Sequence, residues 1–237
     1  MIDYDKLLTV LTEGINDPGI LKAVFLFGGP GSGKSYMVRK LFGINPKIGI
    51  SIYGLKYVSG DKELEFYLKR ANLPLDYNKL YVLDDDEEVE YAYQHARAVS
   101  ATKGLLDNFL KNRLGIISEY TLRDLSQASI QYDGLYSYGY DCMGIFINTP
   151  LEVAMRRNQE RERKLTNADV LSQWQKAQHN RKYLANIFGK NLITIDNDDS
   201  NMINKQAISA IRQFVNHPVK NPIGQEWIKR EKELRNV

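Results

Sequence analysis

Eight consecutive residues have the types and spacing of a phosphate-binding loop. The pattern G-x-x-x-x-G-K-[ST] is met in full by Gly28, Gly29, Pro30, Gly31, Ser32, Gly33, Lys34 and Ser35. Glycines let backbone N–H groups turn towards phosphate oxygens, the lysine reaches the β- and γ-phosphates, and the hydroxyl holds Mg²⁺. The alternative is a glycine-rich turn that binds nothing, which would not need the complete motif. We predict that this loop binds a nucleoside triphosphate, that Lys34 is catalytic and that Ser35 is a magnesium ligand.

Two carboxylates follow other predicted strands at positions where catalysis could use them. Asp61 comes after a strand predicted at 55–59, and Glu119 after one predicted at 115–118. Parallel sheets bind ligands beyond the carboxyl ends of their strands, so both carboxylates are expected near the triphosphate. Asp61 is predicted to be the catalytic base for a hydroxyl, and its alternative role is that of a helix N-cap. Glu119 could instead simply pair with Arg123.

An arginine-rich segment follows the fourth predicted strand. Residues 151–190 contain nine Lys and Arg against four acidic residues, and Arg157 and Arg161 lie four positions apart. Such arginines could form a solvated helix face together with Glu160 and Glu162. Beside a predicted triphosphate, we favour a lid whose arginines neutralise the transferring phosphate. Arg157 and Arg161 are therefore predicted to be catalytic.

The elements that must position these residues alternate between strands and helices. An apolar strand at 22–27 leads into the glycines, and the last two strands are predicted at 142–148 and 191–196. The helices are predicted at 3–14, after the glycines, at 62–73, 87–112 and about 123–138, from 151 onwards, and at 202–215. Thr149, Pro150 and Glu152 have the pattern of a capping box. This order predicts an α/β fold of the P-loop NTPase type, a three-layer αβα sandwich with a parallel sheet of about five strands and a helical, arginine-rich lid.

In this order of motifs the sequence resembles the P-loop kinases of the zeta-toxin and polynucleotide-kinase group over about residues 22–197. Members of that group have a strand ending in a catalytic Asp, as at Asp61. They then have a strand ending in an acid-G-T-x-R-like segment, as at 119–123, and an arginine-rich lid. This sequence departs from the group at Tyr120, where glycine is usual. Similar small kinases are common in tailed phages, where some phosphorylate hydroxymethylated pyrimidines in DNA.

The resemblance implies an enzyme that uses ATP and Mg²⁺ to phosphorylate a hydroxyl group. It implies that Glu119, Thr121 and Arg123 bind the acceptor, which we expect to be a nucleotide or a nucleic acid. A nucleotide sugar or another small molecule is an alternative acceptor. Two further classes stay open, an ATPase motor or switch that acts on a partner, and a nucleotide-binding module without turnover. The segment LYVLDDDEE at 80–88 resembles a Walker B strand, but its acidity favours a surface loop and a helix start.

Composition limits the remaining possibilities. The chain has 237 residues with a formal net charge of +3 and one cysteine, Cys142, so no internal disulfide is expected and a cytoplasmic location fits. The sequence predicts neither a signal peptide nor a membrane span. We predict one P-loop kinase domain at 1–216, with its lid at about 151–190, and a C-terminal helical tail at 217–237.

Overall fold

The computed structural model describes residues 15–17, 19–45, 47–198 and 205–235. The helix predicted at 3–14 lies outside the described residues. The strands are β1 (Lys22–Phe27), β2 (Lys56–Val58), β3 (Ile116–Tyr120), β4 (Asp141–Asn148) and β5 (Leu192–Asp196). They form one sheet in the order β2-β3-β1-β4-β5, and every adjacent pair is parallel. The predicted five-stranded parallel sheet is confirmed.

The helices lie between and after these strands. They are α1 (Lys34–Phe42), α2 (Gly60–Arg70), α3 (Asp85–Lys111), α4 (Leu125–Ser137), α5 (Leu151–Glu160), α6 (Asn167–Asn180), α7 (Leu184–Phe188), α8 (Lys205–Asn216) and α9 (Pro222–Arg235). Short 3₁₀ segments lie at Tyr77–Val82, Arg181–Tyr183 and Gly189–Asn191. Among the described residues, no helix combines the length and the apolar composition that a membrane span requires.

Helices cover both faces of the sheet because side chains alternate along each strand. On β1, Ala23, Phe25 and Phe27 face one apolar core, and Val24 and Leu26 face the other. The first core is completed by apolar residues of α4, α6 and α7, and the second by residues of α1 and α8. The predicted three-layer sandwich follows from this arrangement. A smaller apolar cluster joins α2 to α3 at the edge of the fold.

The acidic segment at 80–88 contains the predicted helix start, but a 3₁₀ segment takes part of the place of the predicted surface loop. Tyr77–Val82 is the 3₁₀ segment, and α3 begins at Asp85. Asp84 and Glu87 form a reciprocal capping box, with the Asp84 carboxylate accepting from the Glu87 backbone N–H at 2.9 Å. The acidic residues at 84–88 therefore stabilise the N-terminus of α3, where the helix dipole favours negative charge.

The C-terminal helix α9 packs against the sheet domain. Trp227 and Ile228 pack against the first apolar core. Gly224 lies so close to Gly139 that a Cβ on Gly224 would be 2.2 Å from the Gly139 carbonyl oxygen. The Asp141 carboxylate accepts hydrogen bonds from the backbone N–H groups of Lys220 and Asn221 before the helix begins. The division into a domain at 1–216 and a tail at 217–237 stays a prediction.

The predicted capping box at Thr149 is wrong. Helix α5 begins at Leu151, and no side chain caps its N-terminus. The Thr149 hydroxyl, which is buried, instead lies 3.1 Å from the carbonyl oxygen of Ser32 and 3.2 Å from that of Asn197. The Thr149 hydroxyl, which has the chemistry to cap a helix, therefore contacts the phosphate-binding loop.

Candidate active site

The phosphate-binding loop runs from the end of β1 to the start of α1, as its sequence motif requires. Gly31 and Gly33 have φ of 72° and 82°, in the left-handed region that favours glycine. A Cβ on Gly31 would lie 2.2 Å from the Ala154 carbonyl oxygen, so α5 packs directly against the loop. A Cβ on Gly29 would lie 3.3 Å from the Cα of Trp174 in α6. The two helices of the predicted lid therefore border the loop.

Lys34 is held inside the loop. Its Nζ donates to the carbonyl oxygens of Gly28 at 2.7 Å and Gly29 at 3.1 Å. Burial lowers the pKa of Lys34, the carboxylates of Glu119 and Asp61 oppose that shift, and the charge of Arg161 adds to it. A cation in this position gains strongly from an incoming anion, because a phosphate would replace two neutral carbonyl oxygens.

Glu119 lies at the end of β3, opposite Leu26 of the neighbouring β1, and its carboxylate faces Ser35 of the phosphate-binding loop. Its Oε2 accepts a hydrogen bond of 3.2 Å from the Ser35 hydroxyl, and its Oε1 is shielded from solvent. Burial raises the pKa of Glu119, and the charge of Lys34 together with the hydroxyl groups of Tyr57 and Ser35 lowers it in part. A serine and a carboxylate in contact are a magnesium-binding pair in P-loop NTPases.

Asp61 is the second residue of α2, where β2 has ended. Helix α2 starts at Gly60 with Ser59 in the N-cap position, so Asp61 is not the N-cap. The Asp61 carboxylate is 56% exposed and pairs with the buried Arg163 guanidinium at 3.0 Å. Arg163 also lies 3.4 Å from the Tyr77 hydroxyl. The predicted base is therefore held by an arginine that our sequence analysis did not single out.

The lid arginines have three different environments. Helix α5 ends at Glu160, so Arg161 and Arg163 lie on an irregular segment and are not on the helix face of Arg157. Burial and the charge of Arg163 lower the pKa of Arg161. Burial alone would lower the pKa of Arg163, but the Asp61 carboxylate and the Tyr77 hydroxyl outweigh burial, so the pKa of Arg163 is raised. The Nε atoms of Arg161 and Arg163 are both buried without a hydrogen-bond partner among the described residues.

Arg157 reaches the segment after β5. Its guanidinium donates to the carbonyl oxygens of Asn197 and Asp198 at 3.0 Å each. The Asn197 side chain in turn donates to the Ser32 carbonyl oxygen at 2.7 Å. Arg157 thus borders the loop near Gly33, where a Cβ would be 3.7 Å from its Nη1. The predicted pair is split, since the charge of Arg161 lowers the pKa of Lys34 whereas Arg157 contacts the segment that follows β5.

Thr121 and Arg123, the other two residues predicted to bind an acceptor, follow β3. Thr121 is half-buried and Arg123 is exposed. The Asn180 amide donates to the carbonyl oxygens of Leu122 at 3.0 Å and Arg123 at 3.4 Å, so this turn is tied to the end of α6. Glu119 hydrogen-bonds to Ser35, and its assignment to the acceptor site stays a prediction.

Sequence reasoning missed Arg163, Asn197 and the loop-holding role of Thr149. The order Asp-Asn at 196–197 was a signal for Asn197, since it follows the last strand of a parallel sheet. Within the described ranges, no group of three or more His, Cys, Asp or Glu side chains could hold a metal ion. Magnesium bound at Ser35 and Glu119 would therefore need phosphate oxygens and water as its other ligands, which is usual for this ion.

A family comparison agrees with this geometry. The family AAA_33, described as an AAA domain, matches residues 24–183, more than half of the 237-residue chain. The chain belongs to the AAA_33 family. The match extends from β1 through α6 and so contains the phosphate-binding loop, Asp61, Glu119 and the lid arginines. No curated protein sequence matches this AAA_33 chain.

Several solved structures are similar to this AAA_33 protein. A candidate kinase from Chloroflexus aurantiacus has a TM-score of 0.54 at 16% identity, covering 82% of this chain and 98% of that one. The PezAT toxin–antitoxin system of Streptococcus pneumoniae gives 0.46 at 15%, covering 98% and 93%. The Pnkp1/Rnl/Hen1 RNA repair complex gives 0.46 at 16%, covering 69% and 46%. The first likeness, together with the family, shows a P-loop kinase-like α/β fold.

Proposed function

We propose that this protein is a kinase that uses ATP and Mg²⁺ to phosphorylate a hydroxyl group. One observation carries the proposal, the meeting of Lys34, the Ser35–Glu119 pair and the Asp61–Arg163 pair at the carboxyl edge of the sheet. These groups include a phosphate cradle, a candidate metal pair and an exposed carboxylate that an arginine holds in place. A kinase needs all three, whereas a module that only binds nucleotide needs no base.

The nucleotide would bind along the loop with its triphosphate over the N-terminus of α1. Backbone N–H groups of the loop and the helix dipole favour the phosphates, and Lys34 would exchange its two carbonyl partners for the β- and γ-phosphates. Ser35 and Glu119 are the residues that would hold Mg²⁺, which would supply positive charge at the β- and γ-oxygens. Glu119 would then serve the metal more directly than the acceptor.

In the transfer step, the acceptor oxygen forms a bond to the γ-phosphorus while the bond from that phosphorus to the β–γ bridging oxygen breaks and ADP leaves. Asp61 would accept the proton of the hydroxyl group. Arg163 keeps the Asp61 carboxylate in place. Lys34 and Arg161 would stabilise the negative charge that develops on the transferring group, since both are partly buried cations with mutually unfavourable charges that an anion would relieve.

We propose a nucleotide or a nucleic acid as acceptor, such as a 5′-hydroxyl end or a hydroxymethylated base in DNA. Support comes from the sequence resemblance described above and from the basic flank at 151–190. A nucleotide sugar is the alternative within the same reaction class. Arg157, which contacts the segment after β5, would serve nucleotide binding more than chemistry.

An ATPase motor or switch is the second candidate function. The family's description as an AAA domain favours it, as does the Ser35–Glu119 pair, because motors also pair a loop hydroxyl with an acidic residue. In that case ATP would be hydrolysed and no acceptor would be labelled.

The two candidates separate in one experiment. The full chain is incubated with γ-labelled ATP, Mg²⁺ and a panel of DNAs, RNAs, nucleotides and nucleotide sugars. A kinase labels one class of acceptor, and the Lys34→Ala variant labels none. Release of label only as inorganic phosphate, with every acceptor unlabelled, contradicts the kinase and favours the motor.

A further inference from the structure

A cavity of about 380 Å³ lies beside β2, the edge strand of the sheet. It is enclosed by the loop at 47–50, by β2, by the start of α2 and by the C-terminal half of α3. Its volume lies within the range of about 300–1,000 Å³ that small-molecule sites occupy. The cavity contains no residue of the phosphate-binding loop among its lining residues, so it is separate from the nucleotide site.

The walls of this edge cavity are chemically divided. One part is apolar, and its residues are Ile48, Val58, Leu105, Phe109 and Leu114. The other part is charged, with the exposed Lys47 and Lys62 and the buried Lys56 against Asp17 and Glu63. The cavity thus offers an apolar surface to the body of a ligand and an excess of cations to its charged group.

Lys56 is the most informative of these charges because it is 4% exposed. Its Nζ lies 2.5 Å from the Asp17 carboxylate, which also accepts from the Gly19 backbone N–H at 2.9 Å. A lysine ammonium has three donors, and a single ion pair leaves others that a ligand could use. A buried charge that lines a cavity is costly unless polar partners surround it.

We propose that this edge cavity binds a small amphipathic organic anion. The aromatic or aliphatic body would pack against Leu105 and Phe109. A carboxylate, sulfonate or phosphate group would face Lys47, Lys62 and the remaining donors of Lys56. Lys62 is already directed over this region, since its Nζ lies 5.3 Å from the centre of the Tyr57 ring, which lines the same cavity.

The edge cavity is distinct from the place where an acceptor must bind. Ser59 and Glu63 line it and share one side of the α2 N-terminus. Asp61 lies about 200° around the helix from Glu63, at about 100° per residue, and pairs with Arg163 of the lid. Tyr57 connects the cavity to the candidate active site, because it lines the cavity and its hydroxyl lowers the pKa of the Glu119 carboxyl group. A ligand in the cavity would therefore be a neighbour of the active site without occupying it.

The probe for the test is 1-anilinonaphthalene-8-sulfonate, an aromatic sulfonate whose fluorescence rises in apolar surroundings. We expect the native full chain to bind one probe molecule saturably. Lys62→Glu should weaken this binding about tenfold by reversing a charge at the mouth. Leu105→Trp should abolish it by filling the apolar part. Lys103→Glu, an exposed charge reversal on α3 outside the cavity, should leave it unchanged.

Thermal unfolding of each variant shows that the probe is binding folded protein. If Leu105→Trp does not fold, Lys62→Glu is decisive, because Lys62 is a surface residue. Absence of saturable binding overturns the proposal, as does equal binding by wild type and Lys62→Glu. Displacement of the probe by ATP and Mg²⁺ also overturns it, by placing the probe in the nucleotide site. None of these outcomes depends on whether the protein is a kinase.

Discussion

Glu119→Gln should make the protein without nucleotide more stable while removing its response to Mg²⁺. The Glu119 carboxylate has one oxygen hydrogen-bonded to Ser35 and the other buried without a partner among the described residues. Burial raises the pKa of Glu119 despite the nearby charge of Lys34, so the ionised form is disfavoured in the folded state. Glutamine keeps the shape and one acceptor oxygen, which can still accept from Ser35, but it replaces the other oxygen with an NH₂ donor and carries no charge.

The expected gain follows from two opposed contributions. A buried charged group with an unsatisfied oxygen costs about 1–3 kcal/mol, and loss of the attraction to Lys34 cancels part of that relief. A net gain of about 1 kcal/mol remains, which for a chain of this size raises Tm by about 2–4 °C. With ATP and Mg²⁺, the wild type should gain more stability from the ligand than the variant, because the variant binds the metal weakly.

The raised pKa of Glu119 also fixes how the stability difference depends on pH. A carboxyl group with a raised pKa in the folded state binds more protons when folded than when unfolded, so its contribution to stability falls as pH rises. The window begins near the ordinary pKa of about 4.3 and ends at the raised pKa of the folded protein. The Tm difference between Glu119→Gln and wild type should grow across that window. A variant that is less stable than wild type at neutral pH would show that Glu119 forms a stabilising ion pair with Lys34, and would refute this reasoning.

Two further predictions concern the lid and the loop. Arg161→Ala should lower kcat more than it raises KM for ATP, because the charge of Arg161 acts close to that of Lys34. Arg157→Ala should mainly raise KM, because Arg157 contacts the segment after β5. Equal effects of the two substitutions on kcat in steady-state kinetics would contradict this division. Gly31→Ala should destabilise the protein by more than about 2 kcal/mol and abolish ATP binding, since its Cβ would meet the Ala154 carbonyl at 2.2 Å. The control is Gly104→Ala, at a position in α3 with open space around it, which should stabilise the protein by up to about 1 kcal/mol in thermal unfolding. If Gly31→Ala left stability and ATP binding unchanged, the loop would not be confined by α5.

The fold could be predicted because its signals are local. The strand predicted at 22–27 has those bounds in the structure, and the others differ at their ends by one or two residues. Apolar runs of strand length and the loop motif depend only on neighbouring residues. The parallel order then follows from the alternation of strands with helices.

The detail of the site could not be predicted because it depends on where elements end. The sequence pattern placed Arg157 and Arg161 on one helix face, but α5 ends at Glu160 and turns them towards different partners. The same ending brings Arg163, and not Arg157, to Asp61. Arginines are chemically equivalent in a sequence, and only tertiary contacts distinguish Arg161 near Lys34, Arg163 paired with Asp61 and Arg157 at the segment after β5.

The predicted capping role of Thr149 was wrong for a related reason. Threonine before proline predicts a cap when the helix start is considered alone. In the folded protein, the carbonyl oxygens of Ser32 and Asn197 lie within hydrogen-bonding distance of the Thr149 hydroxyl, which donates to them and does not cap the helix. Competition between a local and a distant partner is invisible until the distant residues are placed.

The central claim, a kinase whose base is Asp61, is tested most directly by phosphotransfer in the Asp61→Asn variant. The rate of label transfer from γ-labelled ATP to the acceptor is measured for wild type, Asp61→Asn and the control Asp84→Asn, which alters the capping aspartate of α3. Thermal stability and ATP affinity are recorded on the same preparations. We predict that Asp61→Asn folds, binds ATP and loses about 10²–10⁴-fold in transfer, while Asp84→Asn transfers at the wild-type rate. A folded, ATP-binding Asp61→Asn protein with the wild-type rate of transfer would contradict the claim.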